Sequence, residues 1–352
     1  MSRALHDKPA MTNARADFYA RMADQNMTPL WEVLHTLLAS EPVTDAIPHK
    51  WDYDECRPYI MESAGIISAA EAERRVMVLQ NPGMEGRSCI TEALYAGLQL
   101  IMPGEVAPAH RHSPCALRFI VEGSGAYTAL NGEKAYMEVG DLILTPSWVW
   151  HDHGHDGDVP VVWLDGLDIP VVRGLGPVFA EPYPENEFPQ GRPIGDNMAR
   201  YGGNMRPFGE KIASENSPVF HYPYVQTRET LETVSKSKDI DARHGYKLEY
   251  INPANGGPVM PTIATYMQKL PKGFAGDDYQ TTAAWVYHCV EGSGRTRIGD
   301  QTIDWKAKDT FVVPAWYKHS HEVDDDSFLF SYTDQPIHEK LGLFRDNMNG
   351  NA

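Results

Sequence analysis

The sequence predicts a mainly β protein of two jelly-roll barrels with additional helices. One observation is the presence of apolar runs that end at turns, such as residues 141–145 before Pro146, which are typical of strands. The other is an internal repeat, because Val-Glu-Gly-Ser-Gly at residues 121–125 recurs at 290–294. A repeat of domain size indicates duplication rather than a solenoid, whose units run ~20–50 residues.

Four segments are expected in order along the chain. They are a helical segment over residues 1–70, the first barrel over 71–170, an irregular and helical connection over 171–250, and the second barrel over 251–345. Apolar residues at helical spacing from Leu30 to Leu38 predict a helix in the first segment. The Pro and Gly content after residue 171 predicts irregular structure there, with a further helix near residues 224–236.

Composition and charge exclude several classes of function. The chain has 352 residues and a formal net charge of −17, which would repel the nucleic-acid backbone. No apolar run approaches the ~18 residues that span a bilayer, and no hydrophobic signal core follows the start. The four cysteines lie far apart without a Cys-x-x-Cys pair, which argues against disulfides or a zinc ribbon. We therefore expect a cytoplasmic protein that binds neither nucleic acid nor membrane.

Three histidines provide the strongest functional signal. His110 and His112 are two residues apart, and side chains at that spacing point to the same face of an extended strand. His151 follows a second strand-like run, and a barrel of hairpins can bring it opposite the first pair. The spacing therefore predicts a metal site with three imidazole ligands.

The residues around these histidines resemble the two motifs of the cupin superfamily, so the repeat implies a bicupin. The matching positions are Gly104, His110, His112 and Gly123 in the first motif, and Gly140, Pro146 and His151 in the second. Three positions depart from the motifs, since Ala116 replaces a glutamate, Trp148 a glycine and His155 an asparagine. Without the glutamate ligand, an octahedral ion on three imidazoles keeps three open positions. Two can chelate a substrate, and one is left for dioxygen.

The second barrel is expected to lack a complete metal site. The repeat places Tyr279 and Thr281 where His110 and His112 stand, so only His319 remains of the three ligands. A single imidazole does not make a site of this kind. We therefore expect the second barrel to serve structure, as a platform for packing or for oligomer contacts.

A closer resemblance covers most of the chain. The sequence is similar to the gentisate 1,2-dioxygenase family in four runs, at residues 110–125, 145–153, 163–170 and 252–262. The resemblance implies Fe(II)-dependent opening of an aromatic ring between the carboxylated carbon and the neighbouring hydroxylated carbon. Gentisate would give maleylpyruvate in aromatic compound degradation, with O2 as co-substrate and no organic cofactor. The resemblance also implies a homo-oligomer, a tetramer in the family.

A substrate of this class suits an open site on three imidazoles. A carboxylate beside a phenolic hydroxyl can bind the metal through two oxygens, and coordination lowers the phenol pKa as it lowers that of bound water. A glutamate at position 116 would bring a negative charge next to this anion and fill one of the open positions. Ala116 removes both obstacles.

Three further residues are candidates for catalysis. Arg118 shares the strand parity of the ligand histidines and is expected to hold the substrate carboxylate, with a buried ion pair as the alternative. His153, with an ordinary pKa near ~6.5, is expected to hydrogen-bond a substrate oxygen or to move a proton. Its alternative is a solvated loop histidine. Asp165 is expected to orient His153 or a ligand histidine.

Five residues are expected to line the substrate pocket. They are Arg74, Tyr95, Gly97, Gln99 and Trp163. Tyr95, Gly97 and Gln99 share one strand face that leads into the first motif, and Trp163 shares a face with Asp165. The family resemblance makes Arg74 a second arginine near the substrate, and its alternative is a surface position.

Two other functions stay open at this point. Salicylate and 1-hydroxy-2-naphthoate dioxygenases are close relatives of the family, and pocket contacts that separate such substrates are worth only ~1–3 kcal/mol. A non-enzymatic bicupin that stores or senses ligands is the alternative of another class, because cupin barrels host many activities. The three histidines argue against it, since storage does not need a metal with open positions.

Overall fold

Antiparallel strands fill both halves of the repeat, and helices lie before and between them. The computed structural model describes residues 11–347 apart from residues 213 and 238. These residues divide into two units, with the boundary after Val43, and both barrels belong to the second unit. In the described part of the chain, no helix combines the length and the apolar character that crossing a membrane requires.

The first unit holds two helices, α1 over Asn13–Ala23 and α2 over Leu30–Leu37. Helix α1 begins after Thr12, whose side chain accepts a hydrogen bond from the Arg15 backbone N–H. The Tyr19 hydroxyl donates to Glu32 at 2.7 Å and ties the two helices together. Helix α2 lies where apolar spacing predicts a helix, although its apolar residue Leu37 is exposed within this structure.

The second unit contains twenty strands and five α-helices among its described residues, with a short 3-10 helix over Pro82–Met84 and a short π-helix over Met198–Gly202. The elements up to the end of the first barrel are β1 (His49–Trp51), α3 (Tyr53–Ile66), α4 (Ala69–Ala72), β2 (Arg75–Val78), β3 (Tyr95–Ile101), β4 (Val106–His112), β5 (Ala116–Glu122), β6 (Ala126–Leu130), β7 (Glu133–Tyr136), β8 (Leu142–Thr145), β9 (His151–His155) and β10 (Val161–Leu167). Those that follow are α5 (Ile169–Leu175), β11 (Ala180–Pro182), β12 (His221–Tyr222), α6 (Tyr224–Val234), β13 (Tyr246–Glu249), β14 (Ala264–Leu270), β15 (Trp285–Glu291), β16 (Ser293–Ile298), β17 (Gln301–Lys306), β18 (Thr310–Val313), β19 (His319–Glu322), β20 (Ser327–Thr333) and α7 (Gln335–Lys340).

Two antiparallel sheets make the N-terminal barrel. One has the order β12-β8-β5-β10-β3-β2 and the other the order β11-β4-β9-β6-β7. The connection after β10 is therefore not wholly irregular, because it supplies β11 and β12 as edge strands. Strand β11 pairs with β4, with Pro182 opposite His110 and Ala180 opposite His112. Hydrogen bonds from the connection thus support the strand that carries two of the predicted ligands.

The larger sheet of the C-terminal barrel repeats this arrangement with one exchange of strands, and its smaller sheet has three described strands instead of five. Its larger sheet has the order β1-β18-β15-β20-β14-β13, and its smaller sheet the order β17-β16-β19. Strand β1 precedes the whole N-terminal barrel in sequence but pairs with β18, with His49 opposite Val312. The chain therefore contributes to the second barrel before it forms the first.

A shared hydrophobic core lies between the two barrels. Side chains alternate along β5 and β20, so every second residue points away from its own barrel and towards the other. Phe119 stacks on Phe330 with ring centroids 4.1 Å apart, and both are fully buried. The Tyr332 hydroxyl donates to the Tyr95 backbone carbonyl at 3.0 Å. The second barrel thus supports the strands whose opposite faces line the interior of the first.

The same turn precedes the last predicted ligand strand in both halves of the repeat. Trp148 has a φ of 63° and Trp316 a φ of 65°, in the left-handed region that side chains rarely adopt. The Trp148 N–H donates to His112 O at 2.8 Å, and the Trp316 N–H donates to Thr281 O at 2.7 Å. The repeated hydrogen bond holds this backbone in place although neither residue is the glycine of the motif.

We predict that Phe330→Ala destabilises the protein by about 3–5 kcal/mol, because it removes a fully buried ring from the core between the barrels. Urea unfolding measures this loss. The control is Tyr59→Ala on α3, where the ring is 70% exposed and the expected change is within about 0.5 kcal/mol. Equal stability of the two variants would contradict a shared core.

Candidate metal centre and substrate site

Strands β4 and β9 bring the three predicted ligand histidines together. His110 pairs with His151 across the strands, after an irregularity in β4 that follows Ala107. One ring nitrogen from each of His110, His112 and His151 lies within 4.8 Å of the other two. Among the described residues, this is the one group of three or more His, Cys, Asp or Glu side chains that converges in this way.

Backbone carbonyls orient two of these rings. The Nδ1 atom of His112 lies 2.8 Å from Pro114 O, and that of His151 lies 2.9 Å from Val149 O. A carbonyl only accepts, so Nδ1 carries the proton in both rings and Nε2 keeps its lone pair. The Nε2 atom of His151 is buried without a hydrogen-bond partner. The site therefore offers oriented lone pairs that lack a partner within the protein.

Burial keeps the three imidazoles neutral. It lowers the pKa of His110 to about 2 and that of His112 to about 4, and it lowers the pKa of His151 well below its usual value. Nearby arginines add to the shift of His110 and His112. Neutral imidazoles are good ligands for divalent transition metals. The donor set and its protonation state both suit a metal ion.

Arg74 lies beside the ligands rather than on the surface. Its guanidinium donates to Pro108 O at 2.9 Å and also contacts the Nδ1 atom of His110. Burial lowers its pKa, although the group stays charged at neutral pH. Its Nε atom is buried and has no hydrogen-bond partner. The structure thus places a positive charge with an unused donor next to the three histidines.

Arg118 lies in the interior of the barrel, as strand parity predicts. The residue is 4% exposed, its guanidinium donates to the Thr145 hydroxyl, and its Nε atom lies 3.7 Å from Asp165. Nε has no hydrogen-bond partner. Burial lowers the pKa of Arg118 to about 10 and raises that of Asp165 to about 6, so both are ionised at neutral pH. The pair is loose and leaves one guanidinium donor free for a ligand.

The partners of Asp165 differ from those predicted. Its Oδ1 atom accepts a hydrogen bond from the Trp163 indole N–H at 2.9 Å and lies close to Arg118, whereas no hydrogen bond joins it to His153 or to a ligand histidine. Asp165 is directly opposite Arg118 in the register of β10 and β5, which explains this choice of partner. The carboxylate positions Arg118 and Trp163 instead of an imidazole.

His153 is fully buried, which excludes the alternative of a solvated loop residue. Its Nδ1 atom lies 2.9 Å from the Thr128 hydroxyl, and its Nε2 atom has no partner. Its ring centroid is 5.8 Å from that of His151. The expectation of a pKa near 6.5 is wrong for this environment, because burial lowers the pKa of His153 well below that value. His153 is therefore a neutral hydrogen-bonding group beside the predicted ligands.

The predicted pocket wall forms one row next to these residues. Gln99 is 3% exposed and lies opposite Trp163, and Gly97 lies opposite Asp165. A Cβ atom at Gly97 would lie 2.9 Å from the Tyr95 hydroxyl oxygen, so glycine is needed for this ring to lie over the strand. Burial raises the pKa of Tyr95 above its usual value, and the hydroxyl stays protonated. It can donate a hydrogen bond within the site.

Two site residues were missed by sequence reasoning. Thr128 holds His153, and Thr145 accepts from Arg118. Both are buried on strands of the same barrel, but threonine is common in strands and carries no signal of its own. The sequence contains one usable signal for Thr128. Its counterpart Thr296 lies 168 residues later and contacts His321 at 2.8 Å in the same way.

Charge in the interior favours an anionic ligand. Two guanidinium groups, the half-buried one of Arg74 and the buried one of Arg118, face a single buried carboxylate, that of Asp165. The three ligand histidines are neutral, so the surroundings carry a net positive charge before any metal binds. A metal cation would increase this excess. A buried excess of charge is tolerated when a ligand of opposite charge compensates for it.

Comparisons with known proteins agree with this geometry. The cupin-domain family profile matches residues 97–167. Gentisate 1,2 dioxygenase 1 of Aquipseudomonas alcaligenes is 49% identical, over 97% of this chain and 99% of that protein. The 5-aminosalicylate 1,2-dioxygenase of a Comamonas species is 34% identical, over 92% of this chain and 88% of its own length. The crystal structure of salicylate 1,2-dioxygenase from Pseudoaminobacter salicylatoxidans as adducts with gentisate has a TM-score of 0.92 and 30% identity, covering 99% of this chain and 97% of that one.

We predict that the protein binds about one divalent transition metal per chain and that His151→Ala removes it, because one of three neutral ligands is lost. Elemental analysis after dialysis measures the content. His155→Gln is the matched control, since His155 lies on the same strand but contacts Val159 O. Two tightly bound metals per chain would contradict a single site in the N-terminal barrel.

Proposed function

This chain belongs to the gentisate 1,2-dioxygenase family, and we propose that it opens the ring of gentisate with Fe(II) and O2. The cleaved bond joins the carboxylated carbon to the neighbouring hydroxylated carbon. Both oxygen atoms of O2 enter the product, which is maleylpyruvate. The observation that carries the proposal is the set of three neutral histidines next to a buried excess of positive charge. Both features suit an aromatic anion that binds a metal.

The three histidines would hold Fe(II). Three neutral nitrogen donors with no carboxylate ligand fit a divalent iron that must keep several coordination positions open. Bound there, Fe(II) supplies redox chemistry and open positions for the oxygens of the substrate and for O2. Ala116 is 1% exposed and takes the place of the motif glutamate, so no side-chain oxygen of this residue fills one of those positions.

Arg118 and Arg74 would bind and orient the carboxylate of the substrate. Each guanidinium has a buried Nε donor without a partner, and Arg118 is held on its other side by Thr145. An arginine whose position is fixed by neighbours loses little entropy when it binds a carboxylate. Asp165 keeps Arg118 from turning away, because it lies opposite in the strand register. The carboxylate of the substrate would accept a hydrogen bond from each of these Nε atoms.

His153 would hold a hydrogen bond to a substrate oxygen. The neutral ring has one N–H, and when Thr128 donates to Nδ1 this N–H lies on Nε2, the atom without a partner. A donor aimed at an oxygen that gains negative charge stabilises the transition state more than the ground state. Trp163 packs beside this ring at 5.5 Å and limits its movement.

The alternative functions that the sequence leaves open are not equally well supported. A non-enzymatic storage or sensing protein is set aside by the full-length similarity to ring-cleaving dioxygenases. Salicylate and 1-hydroxy-2-naphthoate stay alternative substrates. Relatives are named for 5-aminosalicylate and 1-hydroxy-2-naphthoate as well as for gentisate. All these acids carry a carboxylate beside a hydroxyl, and this is the feature that the proposed site would recognise.

Oxygen uptake by the Fe(II)-loaded protein tests the proposal. We expect the highest kcat/KM with gentisate when gentisate, salicylate and 1-hydroxy-2-naphthoate are compared, because the relative with 49% identity is named for gentisate. An absorbing ring-opened product should form in equal amount to the O2 consumed. No uptake with any of the three acids by protein with full iron content would refute the proposed activity.

We predict that Arg118→Ala lowers kcat/KM by an amount equivalent to about 2–5 kcal/mol, because a buried charged partner of the carboxylate is lost. Iron content should stay at the wild-type level. Arg295→Ala is the control, since Arg295 forms an exposed ion pair with Glu322 in the other barrel. Wild-type kinetics in the Arg118 variant would contradict this role and would leave Arg118 as one member of a structural ion pair.

We predict that His153→Ala keeps its iron but loses about 10²–10⁴-fold in kcat, because it removes a hydrogen bond to the reacting substrate without removing a ligand. His151→Ala should lose the iron itself. Iron analysis and turnover of the same samples measure both effects. The division of roles fails if both variants lose iron equally, or if His153→Ala turns over at the wild-type rate.

We also propose a homo-oligomer in the cytoplasm. Apolar side chains of the connection between the barrels are exposed, among them Leu175, Phe179, Met205 and Phe208, and a second copy of the chain could cover them. All four cysteines are unpaired, as is usual in a reducing compartment. Light scattering of the purified protein would give the number of chains, which the family resemblance sets at four.

A further inference from the structure

The interior of the C-terminal barrel keeps part of the site of the first barrel. His319 and His321 repeat His151 and His153, with ring centroids 5.6 Å apart. His321 contacts Thr296 at 2.8 Å through Nδ1, and its Nε2 atom is buried without a partner. The His-x-His spacing of His151 and His153 is thus the same in the second barrel. The second barrel therefore retains imidazoles but not the pair of ligands on the opposite strand.

A lysine ammonium takes the place of the arginine in this interior. Tyr287 stands at the position that corresponds to Arg118, and Lys247 on β13 extends into the space above its ring. The Nζ atom of Lys247 lies 3.9 Å from the centroid of the Trp285 ring, 4.9 Å from that of Tyr266 and 5.6 Å from that of Tyr287. The charged end of Lys247 is thus surrounded by aromatic faces.

This ammonium has no counter-ion among the described residues. Its Nζ atom is buried and forms neither a hydrogen bond nor an ion pair. Asp165 of the first barrel lies opposite Arg118, whereas the corresponding pair in the second barrel is Ser331 opposite Tyr287. Burial lowers the pKa of Lys247 to about 7, and the exposed Asp241 opposes this only from a distance. Besides this distant carboxylate, the aromatic rings stabilise the charged form.

Other polar atoms in the same interior also lack partners. They are the Trp285 indole nitrogen, the His321 Nε2 atom, both amide atoms of Gln268 and the Ser331 hydroxyl oxygen. Trp285, His321, Gln268 and Ser331 are each at most 3% exposed. Buried polar groups without partners are rare in native proteins, and several in one place indicate a bound species. Most of these atoms can donate a hydrogen bond, and a donor-rich site selects a negative charge.

We propose that the C-terminal barrel binds a small monovalent anion, a halide or a small carboxylate, on the ammonium of Lys247 and the neighbouring N–H and O–H donors. The anion supplies the counter-charge that the exchange of aspartate for serine has removed. A metal cation is disfavoured in the same space, because the ammonium would repel it. On these proposals, the N-terminal interior binds a metal cation together with an anion, and the C-terminal interior binds an anion alone. This site is independent of the proposed ring cleavage.

Thermal unfolding of the Fe(II)-loaded protein under anaerobic conditions tests the proposal. Sodium chloride, formate or benzoate replaces sodium gluconate at constant ionic strength, so that only the identity of the anion changes. We expect a saturable rise in Tm with at least one of the small anions. A response to chloride but not to formate or benzoate assigns a halide, and the reverse assigns a carboxylate. Tm values that do not depend on the anion would overturn the proposal.

Lys247→Met separates this site from the metal centre, where anions can also bind. Anions on the metal shift the wild type and this variant alike, so the difference between the two reports Lys247. We expect the anion-dependent rise in Tm to shrink or vanish in Lys247→Met and to persist in Lys272→Met, whose side chain is exposed. Equal responses of all three proteins would refute the site.

If Lys247→Met does not fold, anomalous diffraction from wild-type crystals soaked in bromide tests the same site. We expect an anomalous difference peak in contact with the Nζ atom of Lys247, within the C-terminal barrel. The proposal is overturned if the interior shows neither a bromide peak nor, after a matching soak in formate, difference density in contact with this atom. A peak without a saturable rise in Tm would mean binding at crystal concentration only, and it would also count against the site.

Discussion

The alternation of side chains along β5 and β10 is the constraint on which the rest of the structure depends. Successive residues of a strand face opposite sides, so each strand serves the barrel interior and the contact between the barrels at once. Arg118 and Asp165 face the interior, whereas Phe119 packs on Phe330 and Gly166 lies against Tyr332. A movement of either strand that improved the packing on one of its faces would disturb the contacts on the other face. The apolar contact between the barrels therefore fixes the charged groups as firmly as their own hydrogen bonds do.

Burial then decides what the fixed groups can do. In the N-terminal barrel, burial keeps the imidazoles neutral, so that they are able to bind a cation. Two guanidinium groups in the same interior are available to bind an anion. In the C-terminal barrel, burial leaves the ammonium of Lys247 without a carboxylate. The backbone of the two barrels is repeated down to the left-handed tryptophans of the same turn. A few substitutions on one duplicated scaffold thus separate an interior with three converging imidazoles from one with an unpaired lysine.

Much of this arrangement follows from the sequence, because periodicity determines which face a residue occupies. The spacing of His110 and His112, the repeat and the parity of Arg118 predict the barrels, the convergence of the histidines and the inward guanidinium. Parity does not determine which residue lies opposite on the next strand, since register also depends on irregularities such as the one in β4. For this reason the partner of Asp165 was predicted wrongly and Thr128 was missed. Nor does parity report burial, which is why the pKa of His153 was misjudged.

The pairing of β1 with β18 has a consequence for the synthesis of the chain. His49 is the partner of Val312, and the entire N-terminal barrel lies between them in sequence. Contacts between such distant residues form late, because a long loop must be closed before they stabilise anything. On the ribosome, β1 emerges well before the strand that it pairs with exists. The nascent chain must therefore carry an unpaired edge strand through most of its translation, a state that invites aggregation and favours capture by chaperones.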